Sequence, residues 1–283
     1  STVSGTYTLT AGGAVTQTGA LAIASNVTTI SASGENVTLE NTSNNFATIG
    51  VTGANVSLID SNALVLGAST VSGTYTIETK SSNITNSGTL TITGVSTFKV
   101  VNGASISVDS ANNNFVATPV FTATSGTIAD VTIVDNSALA FSALTLTGNL
   151  TATVTDGTNT NGAITQTGAL VIPGTTTITA TGSNITFENT TNNFGTIGAT
   201  GAVVSIVDSN AVILGASTVS GTYTVETKSS NITNTGTLTI TGVPTFKVVN
   251  GASISVGSTN NNFAATPVFT ATSGTIADVT ITD

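Results

Sequence analysis

The residues that could do chemistry are few, and most of them are acidic. The chain has thirteen Asp and Glu residues, four lysines and no His. Hydrolysis of acidic polysaccharides needs clustered carboxylates and usually a basic side chain beside them. Glu35 and Glu40 are an odd number of positions apart on a short predicted strand, and only Glu40 has a counterpart, Glu188. We therefore predict that the chain is not an enzyme and that it has no catalytic residues.

Calcium is the cofactor that this composition would suit best, because oxygen-rich turns with Asp and Asn can bind it. Three pairs of aspartates recur at equivalent positions: Asp60 and Asp208, Asp130 and Asp278, and Asp135 and Asp283. Asp109 does not recur, since Gly257 takes its place. Each recurring Asp lies at a predicted strand end, where capping a turn is the simpler role. We predict no cofactor and no metal ligand, with structural calcium as the weaker alternative.

Two acid–base pairs also recur. Glu78 and Lys80 are two positions apart in one strand pattern, as are Glu226 and Lys228, so the members of each pair point the same way. We interpret each as a surface ion pair that contributes about 0.3 kcal/mol to stability. A role in binding is the alternative.

Threonine arrays suggest a different function. TYTLT at Thr6, TLTIT at Thr89 and Thr237, and TTTITAT at Thr175 resemble the rows with which some solenoids bind ice. Thr is also the default outward residue of a strand with few charges. Because the motif does not return at a fixed spacing, ice binding is an alternative and not the main prediction.

Composition excludes several other classes of protein. The chain carries a formal charge of -9, and its four cationic side chains are all lysines, which argues against a nucleic-acid partner. Without Cys it has no disulfides and no thiolate chemistry. No apolar run approaches the roughly 18 residues of a membrane-spanning helix. The N-terminus shows no signal pattern. We expect a processed product or a window from a longer array.

Internal repetition decides the fold. The phrase LGASTVSGTYT occurs at Leu66 and again at Leu214, and Ser69 to Ile133 aligns without gaps on Ser217 to Ile281, 148 positions later, with six differences. A weaker period of about half that length divides the chain into four related repeats, predicted at 1-68, 69-143, 144-216 and 217-283.

At a finer scale the sequence alternates between apolar and hydroxyl residues over four to six positions, which is the pattern of short strands. Six side chains from three such runs should face inward: Leu90, Ile92, Phe98, Val100, Ile106 and Val108. Thr91, Lys99 and Ser107 should face water. Clusters of Gly, Asn and Asp separate the runs and predict corners, for example at Asn102-Gly103 and at 156–162.

Together these patterns predict an all-β fold, a right-handed parallel β-helix (β-solenoid) of stacked coils forming one continuous, elongated rod without caps. A sandwich or barrel would not explain near-identical copies 148 residues apart. Coils of about 18 to 25 residues would give roughly 12 to 16 turns. The phenylalanines after paired asparagines should plug the interior while Asn ladders satisfy the corner backbone: Phe46, Phe115, Phe194 and Phe263.

Three stretches resemble a known family. GGAVTQTGALAI, NGAITQTGALVI and NVSLIDSNALVLGASTVSGTYTI are similar to the central repeats of filamentous-haemagglutinin-like giant surface proteins of Gram-negative bacteria. The resemblance covers the whole chain. It implies a right-handed β-helix that is exported through an outer-membrane partner and serves as an adhesive stalk or biofilm filament.

The main functional prediction is a structural segment of an extracellular fibre at the bacterial cell surface. Its partners would be neighbouring repeats, or copies of itself through coil stacking, together with an unidentified surface or matrix partner. One alternative is a subunit that polymerises end to end. The other is an ice-binding or ligand-binding face, and a ligand-binding face would need exposed aromatics or charges at the repeat spacing. Only Tyr7, Tyr75 and Tyr223 approach that requirement.

Overall fold

The computed structural model describes residues 1–155 and 162–283, and every regular element in those ranges is a β-strand. The strands pair in parallel and stack in about 13 turns, so the fold is a β-solenoid, as predicted. Most of the corner predicted at 156–162 lies outside the described residues. The chain divides into two compact halves, an N-terminal half Ser1–Ser137 and a C-terminal half Ala138–Asp283.

The N-terminal half contains sixteen strands. They are β1 Tyr7–Thr10, β2 Val15–Thr16, β3 Ala22–Ser31, β4 Val37–Leu39, β5 Asn45–Gly53, β6 Val56–Asp60, β7 Leu64–Leu66, β8 Ser69–Val71, β9 Tyr75–Thr79, β10 Ile84–Asn86, β11 Leu90–Ile92, β12 Ser96–Val100, β13 Ile106–Val108, β14 Asn114–Phe115, β15 Val120–Ala123 and β16 Val131–Asp135. One face is the six-stranded sheet β15-β12-β9-β6-β4-β2. The other strands form two further ladders, β7-β10-β13-β16 and β8-β11-β14, which both continue from β1-β3-β5.

The C-terminal half repeats this arrangement, with eighteen strands in the part of it that the structure describes. They are β17 Leu139–Phe141, β18 Leu144–Thr145, β19 Leu150–Val154, β20 Ile164–Gln166, β21 Leu170–Ala180, β22 Ile185–Phe187, β23 Asn193–Gly201, β24 Val204–Asp208, β25 Val212–Leu214, β26 Ser217–Val219, β27 Tyr223–Thr227, β28 Ile232–Asn234, β29 Leu238–Ile240, β30 Pro244–Val248, β31 Ile254–Val256, β32 Asn262–Phe263, β33 Val268–Ala271 and β34 Val279–Ile281. Its matching face is the seven-stranded sheet β17-β20-β22-β24-β27-β30-β33.

Coil length varies along the chain. Residues paired in neighbouring coils are 17 positions apart at Thr48 and Val65 but 26 apart at Leu150 and Thr176. The predicted range of coil lengths is close to this observed range. Most strand pairs keep their register, so the variation falls mainly on the corners between strands, with register shifts inside the pairs β3–β5 and β21–β23.

The core forms from the alternation that the sequence predicted. All six side chains expected to face inward, from Leu90 to Val108, are at most 1% exposed. The four phenylalanines predicted as interior plugs are buried too, and Phe115 packs edge-on against Phe98 with ring centroids 5.9 Å apart. Tyr75 and Tyr223 are fully buried. They belong to the core, so they do not form an exposed aromatic face.

Outward hydroxyl groups align from coil to coil. In the N-terminal half the register places five of them in one column: Thr10, Ser31, Thr52, Thr70 and Thr91. The C-terminal half has the matching column Thr153, Thr179, Thr200, Thr218 and Thr239. Each half therefore has one outward hydroxyl residue per coil over five coils, although these residues are unevenly spaced in the sequence.

Glycine is required where corners of successive coils approach closely. A Cβ on Gly94 would lie 2.4 Å from the carbonyl oxygen of Gly73, closer than any real side chain allows. At the predicted Asn102-Gly103 corner, Gly103 has a φ of 75°, which an L side chain rarely adopts.

Among the described residues, no helix is long and apolar enough to cross a membrane.

Candidate functional site

Polar side chains gather in two kinds of cluster. One kind is buried and occurs at four places, where an Asn and an Asp hold the backbone on either side of a core phenylalanine. We call each of these an amide node. The other kind, which we call a charged cluster, lies on the outer face and occurs once in each half.

The first amide node is centred on Asn44, which is fully buried. Its side-chain oxygen accepts the backbone N–H of Leu21 at 3.0 Å. Its side-chain nitrogen donates to the carbonyl oxygens of Leu39 at 3.0 Å and Ile59 at 3.2 Å. Leu21 lies one coil before Asn44 and Ile59 one coil after it, so one side chain joins three successive coils.

Gln17 completes this node through a reciprocal amide pair. Gln17 Nε2 donates to Asn44 Oδ1 at 2.8 Å, and Asn44 Nδ2 donates to Gln17 Oε1 at 2.9 Å. The C-terminal half repeats the pair between Gln166 and Asn192, with both bonds at 2.8 Å. Two amides in this arrangement satisfy each other's donor and acceptor, which matters most for the buried Asn of each pair.

The second type of node uses a shorter partner. Asn113 Oδ1 accepts from the backbone of Leu90 at 2.9 Å and from Asn86 Nδ2 at 3.1 Å, while Asn113 Nδ2 donates to the carbonyl oxygen of Val108 at 3.0 Å. The C-terminal half repeats this node around Asn261. The prediction that asparagines would satisfy the corner backbone is confirmed, although the sequence did not indicate that these amides are buried.

An aspartate from the next coil accepts the backbone N–H of each phenylalanine. Asp60 accepts the backbone N–H of Phe46 at 2.6 Å on one oxygen and that of Asn62 at 2.7 Å on the other. The matching bonds from the other phenylalanines go to Asp135 at 3.2 Å, Asp208 at 2.6 Å and Asp283 at 2.8 Å. The predicted turn capping is therefore confirmed for Asp60. The bond that also reaches back to the preceding coil was not predicted.

Burial changes the acidity of these carboxyl groups. Loss of hydration raises the pKa of Asp60 and of Asp135 to about 6, and backbone hydrogen bonds oppose the shift without cancelling it. The pKa of Asp208 is raised for the same reason. These aspartates are fully buried. Ionising them therefore destabilises the folded chain, so its free energy of unfolding depends on pH.

The recurring aspartates do not come together as a metal centre in the ranges that the structure describes, where no three His, Cys, Asp or Glu residues are grouped to hold an ion. Asp60 and Asp208 are occupied by backbone donors. Asp130 accepts the hydroxyl of Ser105 at 3.1 Å, while Asp278 is exposed.

The charged cluster of the N-terminal half is centred on Glu78. Its carboxylate lies 2.5 Å from Lys80 Nζ and 3.4 Å from Lys99 Nζ, and it accepts the hydroxyl of Thr124 at 3.2 Å. In the C-terminal half Glu226 contacts Lys228 at 2.7 Å and Lys247 at 3.2 Å. The sequence predicted the in-strand pairs but missed the second lysine, which comes from the next coil.

The predicted ion pair between Glu78 and Lys80 forms, but Glu78 is less exposed than the sequence indicated. Its side chain is only 11% exposed and contacts both Lys80 and Lys99. Burial acts to raise the pKa of Glu78, but the hydrogen bond and charge of Lys80, with the charge of Lys99, outweigh it and hold the pKa below its usual value. The pKa of Glu226 is lowered by the equivalent contacts.

The two glutamates considered for catalysis have separate partners. Glu40 is exposed and accepts the hydroxyl of Ser57, and Glu188 accepts that of Ser205 at 2.6 Å. Glu35 lies in a corner, where its backbone N–H donates to the carbonyl of Ala32 at 2.9 Å. The hydroxyl contacts of Glu40 and Glu188 are those of an outer surface and do not form an acid–base pair.

Comparison with known proteins gives a family but no relative with a described function. A model of repeats of unknown function (DUF5649) matches residues 1–52, 53–122, 128–201 and 200–270. No curated protein and no solved structure matches the chain. The second, third and fourth matches begin 16, 16 and 17 residues before the predicted boundaries at 69, 144 and 217 (69 − 53, 144 − 128, 217 − 200), so the period agrees while the phase differs. Nothing in these comparisons links the chain to filamentous-haemagglutinin-like adhesins. The four matches span most of the chain, which belongs to this family of tandem repeats.

Proposed function

We propose that the chain is a structural segment of an extracellular fibre or stalk at a bacterial cell surface, and that its function is to provide length through stacked coils. The role is non-catalytic. The immediate partners of each coil are the coils before and after it. A surface or matrix partner would bind the fibre elsewhere along its length.

The repetition of the amide nodes carries this proposal. Each node joins successive coils through a buried asparagine side chain, and it recurs at Asn44, Asn113, Asn192 and Asn261. Enzymes and binding proteins usually vary their repeats where the site lies. Here the most elaborate polar chemistry is repeated to join one coil to the next, which is what a protein selected for length requires.

The test is to change the number of repeats in the producing cells. Residues 69–216 comprise one long repeat of 148 residues, and their removal would join Ala68 to Ser217, which stands where Ser69 stood. Electron microscopy of filaments sheared from the cells should show shorter filaments of unchanged width, with an axial spacing near 4.8 Å in both strains. Filaments of unchanged length, or no filament containing this chain, would refute the proposal.

The threonine columns favour a second candidate, binding to ice. A column with one hydroxyl per coil offers an array at a spacing of about 4.8 Å. Against it, Gly50 and Gly198 take the place of threonine in the adjacent columns, beside Thr29 and Thr177. Thermal hysteresis measured with the intact chain, and its loss in Thr200→Val together with Thr218→Val, would support ice binding. Hysteresis at the level of an unrelated protein would refute it.

A further inference from the structure

The cationic side chains of the protein are confined to one kind of surface. All four lysines of the chain belong to the charged clusters. The clusters lie on the six-stranded face of the N-terminal half and on the seven-stranded face of the C-terminal half. Each cluster has two lysines for one glutamate, so it is a local excess of positive charge in a chain with a formal charge of -9. The lysine side chains are 33 to 36% exposed, so they can reach a partner.

The same faces carry an exposed carboxylate at a fixed distance from the lysines. Glu40 follows β4 directly, and Lys99 lies on β12, three strands further along the order β4-β6-β9-β12. Ile59 pairs with Glu78, and Glu78 with Lys99. Because Leu39 pairs with Leu58, Glu40 lies beside Ile59 and begins the same outward column. At about 4.8 Å per strand, Glu40 and Lys99 are about 14 Å apart along it.

The C-terminal half repeats this step. Glu188 follows β22, and Lys247 lies on β30, again three strands further along, in the order β22-β24-β27-β30. Val207, Glu226 and Lys247 are paired in sequence, with Glu188 beside Val207. Both halves therefore carry an acid at one end of a four-coil column and a lysine at the other.

A column of this kind is complementary to itself. A two-fold axis that runs parallel to the strands between Ile59 and Glu78 brings a second copy face to face and reverses the order of its coils. Glu40 of one copy then lies opposite Lys99 of the other, and the reverse pair forms at the same time. The neighbouring column consists of short hydroxyl side chains, so it does not hold the two faces apart: Thr16, Thr38, Ser57, Thr76 and Thr97.

We propose that each of these faces is a docking surface for the same face of a second copy of the chain, in an antiparallel arrangement: reciprocal Glu40–Lys99 contacts join two N-terminal faces, or reciprocal Glu188–Lys247 contacts join two C-terminal faces. A second copy fits better than an acidic polymer, because the surface offers both signs of charge and a second copy presents the complementary sign to each. Exposed ion pairs are individually weak. Association therefore depends on both reciprocal contacts forming together and on low ionic strength.

Charge exchange between two variants tests the proposal. The full chain should form dimers in a sedimentation-velocity concentration series at low salt and return to monomers at about 1 M salt, where the screening length is about 3 Å. Glu40→Lys with Glu188→Lys should be monomeric alone, as should Lys99→Glu with Lys247→Glu. An equimolar mixture of the two variants should restore the dimer. Circular dichroism of each variant checks that the solenoid is folded.

A matched control changes net charge equally away from these faces. Glu35→Lys with Asp109→Lys alters two acids at corners and should leave the dimer intact. A wild-type chain that stays monomeric, a mixture that stays monomeric, or a control that dissociates like the face variants would overturn the proposal. So would capture of a sulfated polysaccharide by a chain that remains monomeric. If either face variant unfolds, the Glu40→Gln/Glu188→Gln variant replaces it, and its association with the wild-type chain is measured instead of the mixture. Association as tight as that between two wild-type chains would overturn the proposal.

Discussion

The two types of amide node perform the same task with different numbers of bonds. Around Asn44 a long partner, Gln17, reaches far enough to exchange two hydrogen bonds, and Asn44 also donates to backbone carbonyls on two coils. Around Asn113 the shorter Asn86 donates one bond, and Asn113 itself donates to one backbone carbonyl, that of Val108. The types alternate along the chain, and both halves keep the order. Both types keep a buried amide at this corner, so the fold requires that amide but tolerates a change in how it is supported.

Removing the central asparagine should have the largest effect, and it should be larger in the first type of node. Asn44→Ala leaves the N–H of Leu21 and the carbonyls of Leu39 and Ile59 buried without their partner, and should lower the local unfolding free energy by about 4 kcal/mol. Asn113→Ala should cost about 3 kcal/mol. Hydrogen exchange followed by mass spectrometry measures both, because repeat proteins need not unfold in one step. Asn45→Ala, at the half-buried neighbouring position, is the control and should change little. Equal losses for Asn44→Ala and Asn113→Ala would contradict the ranking.

Acidity should act on both types of node. The pKa of Asp60 and Asp135 is about 6 in the folded chain against 3.8 for an ordinary Asp, so the folded state binds protons that the unfolded chain releases between these values. The contribution to stability is therefore complete below about pH 4 and is lost as pH rises through about 6. Denaturation midpoints should be higher at about pH 4.5 than at about pH 7.5. Asp60→Asn should reduce this dependence, and an unchanged slope in that variant would show that Asp60 does not carry it.

Exchanging the partners should separate the two nodes more finely. Gln17→Asn shortens the side chain and breaks the reciprocal pair, so it should lower local stability by about 1 kcal/mol, since Asn44 keeps its backbone bonds. Gln166→Asn should have the same effect in the C-terminal half. Exchange rates at the amide of Leu21 report the change. An effect as large as that of Asn44→Ala would mean that the pair, and not the central Asn, holds the node.

The smallest effect is expected outside the nodes. Lys247→Ala removes one of two lysines from Glu226 and leaves Lys228 in place, so it should cost at most about 0.5 kcal/mol at low salt. Lys99→Ala should behave alike in the other half. Thermal midpoints at low and high salt test this, and a loss that persists in high salt would show that packing of the lysine stem matters more than its charge.

The sequence was sufficient for the features that depend on neighbouring residues. Alternation located the inward positions from Leu90 to Val108, and paired asparagines located the buried phenylalanines, because side-chain direction in a strand follows a period of two. Contacts between coils were harder to predict. Lys99 reaches Glu78 from 21 residues away (99 − 78), and Gln17 reaches Asn44 over 27. Such partners could be identified only with the coil length known at each corner, and that length ranges from 17 to 26 residues. The burial of Asp60 was missed for the same reason.

The span of an amide node also determines how a half should respond to force. Ladder hydrogen bonds point from coil to coil, so a pull along the stacking direction loads them one coil at a time. The side chain of Asn44 binds backbone on three successive coils, so a coil at this node cannot separate until those hydrogen bonds break. Extension should therefore proceed in steps set by the distance between nodes, 69 residues from Asn44 to Asn113 (113 − 44), and not by the length of a single coil.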